Sequence, residues 1–316
     1  MPIRKEIAGE EVICFGTDDN DKASIDATFA EIVAANFGDP SNAPIPIFDN
    51  GEHALLLPTG AVLSDRQLRV GLAIGHVVCD PAPNQTQING SSIDVRLGHY
   101  FYHAGRPANG IGIFNPFSEA DTLRYFGIED KFNDYLEAKP WEAVSTSLRR
   151  EIGSTAFSAL HASLQLEGIP DDHPIILLRP GERILGHTHE FIGMRPPGTM
   201  QMQARSTTGR IGVSACYDAG WGDPGYINRW TMEILNHNEN EYIILPVGFR
   251  LAQLAFYLTG PVATEYSLAS GNYQSAPSSN LEVVKASWHP SQMIPRAHKN
   301  EILLPPPVDG LSGGLR

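Results

Sequence analysis

The chain has 316 residues, a formal net charge of −13 and a hydrophobic content of 42%. This length provides enough apolar material for a large core, and the hydrophobic content excludes a disordered chain. Its 30 glycines and 24 prolines, beside only 19% charged residues, favour many short strands joined by turns over a helical bundle. The negative charge argues against nucleic-acid binding, which needs a basic surface. No apolar run approaches about 18 residues and the N-terminus lacks an apolar signal segment, so we expect a soluble, cytoplasmic protein without a membrane partner.

The three cysteines, Cys14, Cys79 and Cys216, are widely separated in the sequence. Their odd number and their spacing exclude a disulfide framework and a CxxC metal site. In so acidic a chain, an anionic ligand requires arginines that are concentrated at its binding site.

The first 60 residues form a predicted N-terminal extension. Apolar residues at helical spacing predict a helix over 27–35, and a proline-rich loop follows at 38–46. A domain then extends from 61 to 275 and begins with a short helix, for which Ser64 or Asp65 is the predicted N-cap. Alternating apolar and polar residues predict a strand over Ile93–Phe101.

A helical insertion is predicted at about 118–168, where apolar residues recur at helical spacing. Strands return from Pro174, and the dipeptide Pro180-Gly181 predicts a hairpin turn between the strands on either side. Residues 276–316 are rich in proline, serine and glycine, which predicts a loosely packed C-terminal tail.

The segment Arg205–Arg210 combines two arginines with three hydroxyl side chains around one glycine. Guanidinium groups, hydroxyls and backbone N–H groups at a strand-to-turn junction are suited to hold phosphate oxygens. An ordinary polar turn has a similar composition, and composition alone favours that interpretation.

A glycine-rich turn spans Ala219–Tyr226 and precedes an apolar strand that contains Glu233. Glycines let the backbone approach a ligand closely, and the side chain of Tyr226 or Trp221 is suited to cover a flat ring. If Glu233 faces the interior, burial raises its pKa and makes it a candidate general base or acid. Alternation by itself favours the other interpretation, a carboxylate on the solvent face of the strand.

His187 and His189 lie two residues apart, so on a strand they share one face. Two histidines on one face are a candidate metal site. No third ligand is placed by spacing, which favours the interpretation as a polar strand face.

Five motifs occur in an order and spacing that resemble the dCTP deaminase branch of the dUTPase-like superfamily. They are Ile88–Gly98, Leu177–Glu182, Ala204–Gly212, Ala219–Asn236 and Leu245–Pro261. The resemblance covers roughly residues 61–100 and 175–275. It implies a mainly β fold, a distorted β-barrel or jelly-roll of the dUTPase-like type with added helices. It also implies a homotrimer whose active sites are shared between chains.

The turn after Asp223 decides between the branches of that superfamily. In trimeric dUTPases the turn usually continues as Tyr-Arg-Gly, and an apolar residue stands ten positions after the aspartate. Here Asp223 is followed by Pro-Gly-Tyr, and the tenth residue after it is Glu233, as in dCTP deaminases. The resemblance therefore favours a catalytic role for Glu233 and phosphate binding by Arg205–Arg210.

The resemblance implies hydrolytic deamination of dCTP to dUTP and ammonia. The reaction is expected to proceed without zinc, because the sequence lacks the ligand signature of zinc deaminases. By resemblance, Glu233 is the general base and acid for the water that attacks cytosine C4, Arg210 orients Glu233, and Ser206 positions the water and the amine. The resemblance also implies the substrate contacts. Arg205, Ser206 and Thr207 are expected to contact the triphosphate, backbone groups at Ala219 the base, and Asp223 the deoxyribose. Tyr226 is expected to cover a flat ring, and a C-terminal segment that contains Tyr266, Tyr273 and Gln274 is expected to close over the substrate. Mg²⁺ is expected to be held mainly by phosphate oxygens.

Two positions depart from the family pattern, since Asn272 stands where lysine is common and Cys216 stands where the bacterial enzymes often have histidine. Besides a dCTP deaminase, two alternatives stay open. One is a bifunctional dCTP deaminase and dUTP diphosphatase, or a dUTPase, in which Asp223 acts on a water. The other is a noncatalytic nucleotide-sensing protein of the same fold, which Asn272 and the long extensions favour.

Overall fold

The computed structural model describes residues 2–7, 10–15, 62–105, 112–130, 133–162, 164, 166–260, 262–267, 273 and 276–300. The helix expected over 27–35 and the loop at 38–46 lie outside the described residues, as do Asn272 and the predicted substrate residue Gln274. The described part of the predicted N-terminal extension is an antiparallel pair of strands.

Short strands make up most of the regular structure. The strands are β1 (Pro2–Ile7), β2 (Glu10–Phe15), β3 (Val77–Asp80), β4 (Ile88–Asn89), β5 (Ser92–Arg96), β6 (Tyr100–Ala104), β7 (Leu136–Glu137), β8 (Ile175–Leu178), β9 (Arg183–Met194), β10 (Gly198–Ala204), β11 (Val213–Ser214), β12 (Trp221–Gly222), β13 (Ile227–Asn236), β14 (Ile243–Pro246) and β15 (Arg250–Leu258). The helices are α1 (Asp65–Ala73), α2 (Glu119–Phe126), α3 (Trp141–Ile152), α4 (Ser154–Ala162), α5 (Ser206–Arg210) and α6 (Leu281–Ser287), with 3₁₀ turns at Gln85–Gln87, Pro290–Met293 and Ala297–Lys299.

Two sheets enclose the main hydrophobic core. One has the strand order β12-β10-β15-β5-β4, and the other has the order β11-β13-β9-β6-β7, with β3 also paired to β9. Buried side chains from both sheets belong to this core, among them Val95 and Leu254 from the first sheet and Ile184 and Met232 from the second. Removal of this apolar surface from water stabilises the fold. The predicted mainly β fold with added helices is confirmed, in an arrangement compatible with a distorted jelly-roll.

Helix α1 begins where the sequence predicts it. The Ser64 side chain accepts a hydrogen bond from the Gln67 backbone N–H, and the Gln67 side chain accepts one from the Ser64 backbone N–H. This reciprocal capping box satisfies two N–H groups at the start of the helix. Ser64 is therefore the N-cap, and Leu68 and Val70 bury the apolar side of the helix in the core.

The strand expected over Ile93–Phe101 is divided into β5 and β6, which belong to different sheets. The break lies at Gly98, whose backbone N–H donates to the His187 carbonyl at 2.8 Å. A Cβ at Gly98 would lie 2.1 Å from the His187 ring, so only glycine allows this crossing. The prediction of one continuous strand was wrong because this close approach turns the chain from one sheet to the other.

The predicted Pro180-Gly181 hairpin was also wrong. Strand β8 pairs with β14, and β9 pairs with β13, β6 and β3. The turn is present, with a left-handed φ of 66° at Gly181, whose N–H donates to the Asn238 carbonyl at 3.2 Å. It joins two strands whose hydrogen-bonding partners are distant in sequence.

The predicted helical insertion contains α2, α3 and α4, with the short strand β7 between α2 and α3. Helix α2 packs on β6 at the face of the second sheet that is turned away from the main core. A second apolar cluster, here called the outer cluster, forms at that face. Its buried members are Tyr102, Phe126, Ile128, Leu185, Met293 and Ile294.

The described part of the predicted C-terminal tail, residues 276–300, differs from the loosely packed segment that the sequence predicts. Val284 in α6 has no exposed surface, and Met293 and Ile294 are buried in the outer cluster. Residues 280–295 therefore pack on the domain instead of extending from it. Among the described residues, no helix is both long and apolar enough to cross a membrane.

Candidate functional site

A cavity of about 560 Å³ lies beside strand β13 and is lined by seven of the residues that the sequence singles out as candidates. We call it the Glu233 cavity. The seven are Ala219, Trp221, Asp223, Tyr226, Glu233, Tyr266 and Tyr273. They come from three separate stretches of the chain, so only the tertiary structure brings them together.

Glu233 is placed by the alternation of β13. Its neighbours Met232 and Ile234 point into the main core, so the carboxyl points to the opposite face of the sheet. There it is half-buried, and its Oε2 is inaccessible to solvent and has no hydrogen-bond partner among the described residues. Burial raises the pKa of Glu233, with Asp218 acting in the same direction, while its own backbone and Arg183 oppose the shift. The carboxyl is therefore suited to exchange a proton with a ligand in the cavity.

The Cys216 thiol lies close enough to Glu233 to be affected by its charge. Burial raises the pKa of Cys216 to about 12, with smaller contributions from Glu233 and Asp218. The thiol therefore stays neutral at physiological pH and contributes a small, weakly polar group near the carboxyl.

The glycine-rich turn lies close against its neighbours. A Cβ at Gly220 would lie 2.4 Å from the Met202 carbonyl oxygen, and a Cβ at Gly222 would lie 2.2 Å from the Trp230 ring. Thr199 fixes the turn further, because its hydroxyl donates to the Gly222 carbonyl at 2.6 Å. These contacts hold the backbone on either side, at Ala219 and Asp223, at the wall of the cavity.

Aromatic rings form another wall of the Glu233 cavity. The Tyr226 ring meets Trp230 and Tyr266 edge-on, each at 5.3 Å between centroids. The Tyr266 hydroxyl accepts a hydrogen bond from the Tyr273 backbone N–H at 3.1 Å, and the Asn228 amide donates to the Tyr273 carbonyl at 3.0 Å. Tyr266 and Tyr273 are thus attached to the glycine-rich turn and β13 of their own chain.

The Arg205–Arg210 segment forms the one-turn helix α5, with Arg205 as its N-cap. The Arg205 Nε lies 3.0 Å from the Asp94 Oδ2, and Arg250 Nη1 lies 3.3 Å from the same oxygen. Burial raises the pKa of Asp94, and the two arginines oppose that shift. Arg205 is therefore anchored within the first sheet.

The remaining polar side chains of this segment have different surroundings. Ser206, Thr207 and Arg210 are exposed, whereas Thr208 is buried and donates to the Leu251 carbonyl at 2.9 Å. The exposed side chains are the ones available to a ligand.

Arg210 is not among the groups that shift the pKa of Glu233 and does not line the Glu233 cavity, so these two described residues form no ion pair within one chain. The Asn238 side chain donates to the Ile211 carbonyl at 3.0 Å, which places Arg210 beside the far end of β13. Strand β13 ends at Asn236, so Asn238 lies beyond the end of the strand that carries Glu233. The structure thus brings the residues of the Glu233 cavity together, and Arg205, Ser206, Thr207 and Arg210 are not among them.

The His187 and His189 pair does not form a metal site with a third ligand. His187 Nε2 accepts from the Tyr100 backbone N–H at 3.1 Å, and Nδ1 lies 2.7 Å from the Thr188 carbonyl. Burial, with a smaller effect of Arg229, lowers the pKa of His187 to about 3. Within the described ranges, no three His, Cys, Asp or Glu side chains are grouped as metal ligands.

Leu185, Met293 and Pro295 are among the cavity residues that sequence reasoning missed. Leu185 occupies the strand position directly opposite Glu233, a pairing that local sequence does not reveal. Met293 and Pro295 belong to the region that was predicted to be a loose tail. A Met or Pro in such a region carries no signal for a site.

Comparison with known proteins gives consistent results. A family model described as dCTP deaminase-like matches residues 145–259. A protein of Dictyoglomus thermophilum named "dCTP deaminase, dUMP-forming" is 28% identical over 214 residues, which are 67% of this chain and 88% of that protein. A protein of the same name from Corynebacterium jeikeium is 30% identical over 206 residues, which are 65% of this chain and 86% of that protein.

Among solved structures, the 2'-deoxycytidine 5'-triphosphate deaminase of Agrobacterium tumefaciens aligns with a TM-score of 0.39 and 15% identity. That alignment covers 64% of this chain and 49% of the other. The family-model match includes the segment Arg205–Arg210, the glycine-rich turn and Glu233, and the Corynebacterium relative is matched over most of its length. The chain belongs to the dCTP deaminase-like family.

Proposed function

We propose that this protein removes the 4-amino group of dCTP by hydrolysis, with Glu233 moving the protons. One observation carries the proposal. Glu233 presents a desolvated carboxyl oxygen without a protein hydrogen-bond partner in a cavity that also has aromatic walls. A buried acceptor left unpaired costs stability, so its presence is typical of a site where a ligand or water completes the hydrogen bond.

The raised pKa of Glu233 suits this proton transfer. As a carboxylate it takes a proton from the water that attacks cytosine C4, and as a carboxylic acid it returns that proton to the ring nitrogen or to the leaving amine. One water is consumed, the C4–N bond breaks, and ammonia leaves with dUTP as the first product. This route needs no zinc-bound hydroxide, because the carboxyl itself accepts the proton.

The other cavity residues then bind the nucleoside. Ala219 and Tyr226 both line the cavity. We propose that backbone groups at Ala219 read the edge of the base and that Tyr226 offers an aromatic surface to the ring. Asp223 is exposed at the cavity wall and is proposed to contact the deoxyribose. Its carboxylate is also an oxygen ligand of the type that Mg²⁺ prefers. The ion, when bound, would be held mainly by the phosphates and would neutralise part of their charge.

We propose further that a second copy of the chain completes the site. Arg183 of the same chain lowers the pKa of Glu233, and we propose that Arg210 of a neighbouring copy orients the carboxyl in addition. Side chains suited to such a contact lie nearby, since Ile211, Tyr217 and Trp221 are apolar and exposed. A homotrimer in which Arg205, Ser206, Thr207 and Arg210 face the Glu233 cavity of a neighbour allows this contact.

The names of the curated relatives favour the bifunctional alternative. Both relatives described above are named as dUMP-forming, so we propose that dUTP is hydrolysed in turn to dUMP and pyrophosphate. In this second step a water attacks the α-phosphate, and Asp223 is the proposed group that activates it. Release of dUTP as the final product is then the less favoured outcome.

The decisive experiment is incubation of the full chain with dCTP and Mg²⁺, followed by separation of the nucleotides by charge and by base. We expect dUMP, pyrophosphate and ammonia from the wild type, and none of them from Glu233→Gln. Asp223→Asn is expected to accumulate dUTP, whereas the neighbouring Asp218→Asn retains dUMP formation. Unchanged dCTP that nevertheless binds would instead establish the noncatalytic nucleotide-sensing alternative.

A further inference from the structure

The C-terminal region beyond Ser279 reaches the Glu233 cavity. After helix α6, the chain passes through the 3₁₀ turn Pro290–Met293, which packs against β9. Met293 and Pro295 then line the cavity. Met293 is 3% exposed, so its side chain is enclosed by the protein.

Several independent contacts hold this segment in place. The Arg195 guanidinium donates to the Ser279 carbonyl at 3.0 Å, and the Lys285 ammonium lies 2.9 Å from the Asp80 carboxylate. The Arg229 guanidinium lies over the Trp288 ring, with its Cζ 4.6 Å from the ring centroid. These contacts attach the segment to β3, to β13 and to the region that follows β9, so Met293 is positioned before any ligand binds.

Met293 is connected to Glu233 through one residue. Leu185 lies opposite Glu233 in the β9–β13 pair and shares the outer cluster with Met293. All three line the same cavity. The cavity therefore has an apolar side formed by Leu185, Met293 and Pro295 next to the carboxyl that is proposed to move the protons.

We propose that Met293 and Pro295 are specificity-determining residues, which form the apolar wall against which the pyrimidine ring of the substrate packs beside Glu233. The inference rests on the proposed function and names a part of its site. A thioether is polarizable and contacts aromatic rings favourably, and a proline presents a rigid apolar surface. The C-terminal segment thus contributes directly to substrate binding.

The test uses dCTP binding in the full-length Glu233→Gln background, so that it does not depend on turnover. In this background, Met293→Ala is expected to weaken the dissociation constant for dCTP about tenfold, and Met293→Leu is expected to restore it. Ile294→Ala is the matched control, because Ile294 is buried in the same outer cluster but does not line the cavity. Thermal unfolding of each variant measures the loss of packing separately.

Equal dCTP affinities for Met293→Ala and Ile294→Ala would overturn the inference, as would a complete lack of dCTP binding in the Glu233→Gln background. Failure of the proposed function has a different signature. In that case the wild type binds dCTP and leaves it intact, while the difference between the two alanine variants persists.

Discussion

Glu233 lies directly opposite Leu185 in the antiparallel pair of β13 and β9. The carboxyl therefore has an apolar side chain as its nearest cross-strand neighbour on a face of the sheet that the outer cluster covers in part. This pairing helps to explain why Glu233 has a raised pKa, although alternation along β13 favours a solvent-exposed position for its side chain.

The activity is expected to fall at acidic pH with a midpoint above the ordinary glutamate pKa of about 4.3, because Glu233 must be ionised to accept a proton from water. Asp218 raises the pKa of Glu233 and Arg183 lowers it. Asp218→Asn should therefore move the acidic limb of the kcat/KM profile to lower pH, and Arg183→Gln should move it to higher pH. Shifts of both variants in one direction would contradict the assignment of this limb to Glu233.

Replacement of Glu233 by glutamine should stabilise the fold at neutral pH. Between the unfolded and the raised folded pKa, the folded state binds more protons, so the stability of the wild type falls as pH rises through that interval. Below the unfolded pKa this difference vanishes. We expect Glu233→Gln to raise Tm by on the order of 2 °C at pH 7 and to match the wild type near pH 4.

The control for this stability measurement is Glu239→Gln, which changes an exposed loop carboxylate. Its Tm should follow that of the wild type at both pH values. A Glu233→Gln protein that melts below the wild type at pH 7 would mean that the carboxyl is stabilised by contacts in the assembled protein.

Active sites shared between copies predict that two inactive variants complement each other. In a mixture of Arg210→Ala and Glu233→Gln chains that are unfolded and refolded together, about a quarter of the shared sites regain both residues in a symmetric ring. We expect a corresponding recovery of deaminase activity. The same chains refolded separately and then mixed provide the control, and an absence of recovery after co-refolding would place both residues in one chain.

Removal of Asp94 should destabilise the protein strongly. Asp94 is 4% exposed and carries ion pairs to Arg205 and Arg250, so Asp94→Ala leaves two half-buried guanidinium groups uncompensated. A loss of about 3 kcal/mol in the free energy of unfolding is expected from denaturant titration. Glu282→Ala, which removes an exposed ion pair to Lys285, should cost far less.

Sequence reasoning succeeded where the signal is local. The capping box at Ser64 depends on residues within one helical turn. The alternation of β13 correctly predicts that Glu233 faces away from the main core, but it did not predict that the carboxyl is buried there. Sequence reasoning failed at Gly98 and at the Pro180-Gly181 turn, because the partners of those strands lie far away in the chain. The packing of Met293 was missed for the same reason.

The sequence by itself determined the mainly β character and the helices in the insertion, because alternation and helix caps depend on residues that are adjacent in the chain. Its ordered motifs also indicated a part of the Glu233 cavity, including Asp223, Tyr226 and Glu233 itself. The tertiary structure decided that Glu233 is desolvated, that Arg210 lies away from it in the same chain, and that the C-terminal segment supplies a wall of the cavity. Burial and electrostatic environment are set by groups brought together from distant parts of the chain. In this protein, distant parts of the chain bury the Glu233 carboxyl of β13 by about half, whereas Arg210 at the end of α5 stays exposed.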